Sequence, residues 1–124
     1  HAPHAAFEKE REFELASFGI TGLETSFGLV NTYLVKPGYI DHARLAELMA
    51  IRPRDILRIP QVTLEVGSPA DITVVDPDLV WTVEAQDMCS KSLNSPFIGY
   101  ELTGKPTDVV CKGKLTLEAG NVCV

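Results

Sequence analysis

The apolar residues of this chain change their period near residue 59, so any fold it adopts has to change from helix to strand there. Before that point, "GLETSFGLVNTYL" places Leu23, Phe27, Val30 and Leu34 at the spacing of one helix face, and Lys36-Pro37-Gly38 supplies the turn residues that end the run. A second helical stretch, "DHARLAELMAIRPRDIL", has Asp41 as N-cap and Leu45, Leu48 and Met49 on one side, with Pro53 where a further short helix restarts. Past Pro60 the pattern becomes one of short strands: "VTLEV" at 62–66, "DITVVD" at 71–76, "WTV" at 81–83 and "DVVCKGKLTLEAGNVCV" from 108 onward. Gly67-Ser68-Pro69, Asp76-Pro77-Asp78 and Gly113 separate them, and the last segment is expected to turn as a hairpin at Ala119-Gly120-Asn121. Between the strands, "QDMCSKSLNSPFIGYELTG" (86–104) reads as a long loop.

Charge and cysteine content remove several classes of function. With 17 acidic against 11 basic residues the net charge is -6, and no Lys/Arg stripe is present to neutralise phosphates, so nucleic acid is not an expected partner. No apolar run approaches the length of a membrane span, and no charged-then-apolar leader opens the chain. Cys89, Cys111 and Cys123 are odd in number and widely spaced, which fits reduced thiols and a cytoplasmic setting better than a disulfide framework or a zinc knuckle. At 45% hydrophobic and 23% charged, the composition is that of a globular protein able to form a core.

The opening residues have a layout of their own. His1-Ala2-Pro3-His4 is followed by the polar stretch "AAFEKEREFELASFG" and then by the first helix. In a barrel of alternating strands and helices, reactive side chains stand where a strand ends and its loop begins. "HAPH" has that character, which leads to the expectation that a strand precedes it and that the chain is the back part of a longer polypeptide.

"HAPH", the loop "SFGITGLET" (17–25), "LEVGSPADITVVDP" (64–77) and "SKSLNSPFIGYELTGK" (90–105) together resemble the C-terminal part of a bacterial-type dihydroorotase, a member of the amidohydrolase superfamily. "GSPADITVVD" is common among amidohydrolases, whereas "NSPFIGYELTGK" following "SFGITGLET" is narrower. The fold this resemblance implies is α/β. Residues 1–58 would be the last loop and helix of a (β/α)8 TIM-type barrel, and residues 59–124 the C-terminal strands of a small β-sandwich domain.

The implied activity is the reversible, zinc-dependent interconversion of dihydroorotate and N-carbamoyl-aspartate in pyrimidine biosynthesis. The zinc ligands would lie upstream, with none in this chain, and the family's catalytic Asp would directly precede His1. His4 matches the family histidine that contacts substrate, and Phe18 and Gly19 match a pair whose backbone lines the pocket. Taken without the resemblance, His4 would be a loop histidine, Phe18 a loop anchor and Gly19 a turn glycine. His1 carries no transferable role and is expected to bond locally, while His42 is expected to be a solvated residue at a helix start. Trp81 and Phe97 read as packing residues. The resemblance also admits a homodimer or an association with aspartate transcarbamoylase. Its alternatives are an allantoinase or hydantoinase-type cyclic amidohydrolase, and a catalytically inactive assembly subunit.

Overall fold

The computed structural model describes residues 1–123. After an extended start, the short helix α1 (Ala6–Lys9) opens on a bond from the Ala5 N–H to the Glu8 carboxylate at 2.8 Å, and a 3-10 turn follows at Phe13–Leu15. Helix α2 (Ser26–Val30) continues through a wider π turn at Asn31–Val35. The second helical run is α3 (His42–Ala46), a π turn at Glu47–Ile51 and α4 (Arg52–Leu57). Asp41 caps α3 as its sequence position predicts, accepting the Arg44 N–H at 2.7 Å. At the far end Arg58 takes a left-handed conformation (φ 55°) that closes α4.

The second half is one antiparallel sheet in sequential order, β1 (Ile72–Thr82), β2 (Glu101–Cys111), β3 (Lys114–Glu118) and β4 (Asn121–Val122). Ile72 lies opposite Val110 at one end of the first pair and Thr82 opposite Glu101 at the other. The expected hairpin turn falls at Ala119–Gly120, where both residues have positive φ (46° and 80°). Lys112–Gly113 (50° and 78°) makes an equivalent turn between β2 and β3. Two consecutive left-handed residues give the twist that suits a two-residue hairpin. In the terminal hairpin the Asp108 carboxylate accepts the Ala119 N–H at 3.1 Å, and that bond holds its pKa below the ordinary aspartate value.

Three expectations are corrected here. "DITVVD" and "WTV" are not separate strands, because Asp76-Pro77-Asp78 bulges out of β1 without ending it. Asp76 Oδ1 accepts the N–H groups of Asp78 and Leu79 at 2.9 and 3.1 Å, and the register to β2 shifts across this point. The loop 86–104 ends earlier than expected, since β2 begins at Glu101 and absorbs "ELTG". "VTLEV" forms no strand. Its Leu64 and Val66 are 87% and 108% exposed, and no neighbouring strand pairs with it among the described residues.

The core lies where α2 crosses β2. Leu102 and Val83 are fully buried, each contributing about 2 kcal/mol of apolar transfer. The helix approaches closely because Gly28 faces the sheet: a Cβ there would come within 3.2 Å of the Gly104 carbonyl, Leu102 and Trp81. The fully buried Asn31 sends its amide N–H groups to the carbonyls of Pro77 (3.0 Å) and Thr103 (2.8 Å), and its Oδ1 faces His42 Nε2 at 3.2 Å. His42 is exposed at the start of α3, as expected, and its bond to Asn31 also ties it to this seam. Trp81 Nε1 donates to Gly104 O at 3.0 Å, and Lys105 Nζ stands 4.6 Å from the Trp81 ring centre. Thr32 Oγ1 completes the join by accepting the Thr103 N–H at 2.8 Å. The apolar stripe read from the sequence faces outward in part, with Leu23 69% exposed; glycine and asparagine make the contact instead.

Candidate functional site

Three segments far apart in sequence meet at the opposite end of α2: the opening "HAPH", the loop Ser17–Gly22, and residues 89–94 of the long loop. The first two run side by side, with the Ala2 N–H bonded to Ile20 O at 2.8 Å. Gly19 sits at φ 98°, and a Cβ on it would lie 2.6 Å from the Ala2 Cβ, so both the backbone conformation and the space demand glycine.

His4 is half-buried, and its Nε2 lies 2.7 Å from the Phe18 carbonyl oxygen. A carbonyl accepts only, so Nε2 carries the proton and donates. That leaves Nδ1 as the free ring position, 3.9 Å from a Glu8 carboxylate oxygen. The Phe18 side chain is 89% exposed, and its carbonyl is the atom that meets His4. The carbonyls of Ser17 and Gly19 are both taken by Lys9 Nζ, at 2.7 and 3.0 Å. The N–H groups of Phe18 and Gly19 bond to nothing among the described residues. His4 and the adjacent pair Phe18-Gly19 thus come from two stretches of the sequence, and the fold joins them through the bond from His4 to Phe18 O.

His1 bonds to the same loop. Its Nδ1 accepts the N–H groups of Gly22 (3.1 Å) and Leu23 (3.4 Å), while Nε2 faces Ser90 Oγ at 3.4 Å. The Glu24 carboxylate pins the third segment by accepting the Cys89 and Ser90 N–H groups at 2.7 and 3.0 Å.

Sequence reasoning missed four residues here: Lys9, Glu24, Ser92 and Asn94. Asn94 Oδ1 accepts from the His4 N–H (3.2 Å) and Ser92 Oγ (2.7 Å), and Nδ2 donates to Ala2 O (2.9 Å) and Gly19 O (3.4 Å). Ser92 Oγ also faces His4 O, so its single proton is shared between that carbonyl and Asn94 Oδ1. "LNSP" signals a turn, and nothing in its spacing points to a partner ninety residues away. A cavity of about 240 Å³ opens beside these groups, between His4, Lys9 and Glu10 on one wall and Ser92–Asn94 on the other.

Among the described residues no three His, Cys, Asp or Glu side chains converge as metal ligands, and no helix is long and apolar enough to cross a membrane. The arrangement suits a binding wall: a histidine with one ring nitrogen committed to the scaffold, beside a loop whose carbonyls are occupied and whose amides are open.

No protein-family model matches the chain. Among solved structures, the chain is similar to hydantoinases. The chain is similar to the L-hydantoinase (dihydropyrimidinase) from Arthrobacter aurescens, with a TM-score of 0.82 and 35% identity over 91% of this chain and 26% of that one. A D-hydantoinase (dihydropyrimidinase) from Thermus sp. matches 99% of the chain and 28% of its own length, with a TM-score of 0.77 and 28% identity. By sequence the chain is similar to proteins named dihydroorotase. It is 48% identical over all 124 residues to the dihydroorotase of Elusimicrobium minutum, and 45% identical over the same span to that of Acetivibrio thermocellus. A dihydroorotase of Geotalea daltonii is 46% identical over 93% of the chain. The chain spans less than a third of the length of these relatives, 29%, 28% and 27% respectively.

Proposed function

We propose that the complete polypeptide containing this chain is a dihydroorotase, which opens the ring of dihydroorotate to N-carbamoyl-aspartate and closes it again, and that this chain supplies one wall of its substrate site. The observation that carries the reading is the joining of His4 to the Phe18–Gly19 backbone, in a chain whose curated relatives are named dihydroorotase.

In this reading the substrate is a small anionic ring. With Nε2 held by Phe18 O, His4 offers the lone pair of Nδ1 to a ring N–H of the substrate, and the open amides of Phe18 and Gly19 offer two donors to a carbonyl or carboxylate. Lys9, whose ammonium is spent on two carbonyls, keeps the loop in the conformation that aims those amides. The zinc of the proposal would be held by the upstream residues that the resemblance implies. When bound, zinc would activate water and polarise the scissile carbonyl. Residues 1–58 then form the end of the barrel and residues 59–124 the strands of a small β-sandwich, in a cytoplasmic enzyme whose partners are its small-molecule substrate and the rest of its own polypeptide. The solved hydantoinases share the fold, while the higher identities to dihydroorotases favour the carboxylate-bearing substrate.

The test is steady-state kinetics of the complete polypeptide on N-carbamoyl-aspartate, dihydroorotate, allantoin and a simple hydantoin. Dihydroorotate and N-carbamoyl-aspartate should be strongly preferred, because a site built to pair a carboxylate leaves polar groups unmatched by analogues without one. Comparable kcat/KM on allantoin or hydantoin contradicts the proposal.

A further inference from the structure

We infer that Asn94 is the positioning residue that sets His4 and the Phe18–Gly19 backbone in register with each other, an inference that rests on the substrate-wall reading above. One planar amide makes four bonds to three segments. Its oxygen holds the His4 N–H and the Ser92 hydroxyl, and its nitrogen holds the carbonyls of Ala2 and Gly19. Its main-chain carbonyl adds a fifth, accepting the Thr21 N–H at 3.3 Å.

The chemistry requires an amide. Aspartate has the same shape but would turn a carboxylate oxygen toward the two carbonyls that Nδ2 now serves, and an apolar residue would leave the His4 N–H and the Ala2 carbonyl unmatched. Half-burial shields these bonds from competing water. Lys9 grips the Ser17 and Gly19 carbonyls but makes no hydrogen bond to "HAPH", so it shapes the loop without bonding it to His4. Asn94 alone among these side chains bonds to both Ala2 or His4 and Gly19. The seam at Gly28, Asn31 and Gly104 is built from other residues, so losing Asn94 leaves the main packing contacts of the chain in place.

The experiment compares the complete polypeptide with its Asn94→Ala and Asn94→Asp variants. Ring ¹⁵N resonances of His4, assigned by their loss in His4→Gln, are read together with kinetics on dihydroorotate and with melting curves. In the parent protein His4 should show the Nε2–H tautomer. In both variants the ring signals should move toward a mixture of tautomers, and KM should rise about tenfold with a smaller change in kcat, as for loss of positioned hydrogen bonds. Asn94→Asp is near-isosteric and guards against an effect of lost packing. Unchanged His4 signals in both variants overturn the inference, as does a fall in kcat with KM and ring signals unaltered. If the parent protein fails to turn over dihydroorotate, the substrate reading fails, while the His4 signals still decide the role of Asn94.

Discussion

"VTLEV" and "GKPTD" exchange the roles their compositions suggest. The first is rich in β-branched and aliphatic residues and forms no strand; the second contains glycine and proline and lies within β2. Pairing decides the outcome. Gly104–Asp108 has β1 on one flank and α2 against one face, whereas residues 62–66 have neither, and Leu64 and Val66 stand in solvent. The strand region is closed by a glycine-to-glycine approach and a bonded asparagine, while residues 62–66 stay open.

Gly104→Ala should break this difference most severely. Its φ of 96° disfavours any Cβ, and the added carbon would sit 2.6 Å from Asn31 Nδ2 and 3.0 Å from Phe27 Cε1. A loss of about 3 kcal/mol is expected in chemical denaturation of the complete polypeptide. Loss below about 0.5 kcal/mol would show that the seam does not hold the sheet to the helix.

Gly28→Ala tests the same approach from the helix side, where two effects oppose each other. Alanine gains about 1 kcal/mol of helix propensity, and contacts of 3.2 Å to a carbonyl and two core side chains cost about 1 to 3 kcal/mol. Crowding should win by about 1 kcal/mol; a stabilised variant would mean that the sheet can recede.

The smallest effect belongs to the rim of the seam, where Lys36 Nζ meets Asp78 Oδ1 at 2.5 Å. The hydrogen bond and charge of Lys36 hold the Asp78 carboxyl below its ordinary pKa. A depressed folded-state pKa adds stability above the ordinary aspartate value, and that stability is lost as pH falls through the depressed one. Asp78→Asn should therefore lower the melting temperature slightly at pH 7, and the difference should close under more acidic conditions. Asp78 is 82% exposed, and a difference that grew on acidification would reverse the assigned sign.

Features governed by neighbouring residues were legible in the sequence. Asp41 capped α3, Gly120 marked a turn, and the change from helix to strand came after α4. Features governed by distant partners were not. The helical period pointed to Leu23 and Leu34, but the sheet chose Gly28 and Asn31, because close approach needed a missing side chain and exposed carbonyls needed a donor. Asp76-Pro77-Asp78 carried turn chemistry, and the structure used it as a bulge because the strands on either side share one partner, β2. At the candidate site, resemblance named His4, Phe18 and Gly19 as expectations, while Asn94, which bonds beside them, had no local signature.

The central claim is that His4 contributes to substrate binding and holds no metal. Its most direct test is His4→Ala in the complete polypeptide, with kcat/KM on dihydroorotate and metal content measured on the same preparations. Loss of one positioned hydrogen bond, on the order of 2 to 4 kcal/mol in the transition state, should lower kcat/KM about 30- to 1,000-fold with the metal retained in full. Metal lost in proportion to activity, or activity left at the parent level, would contradict it.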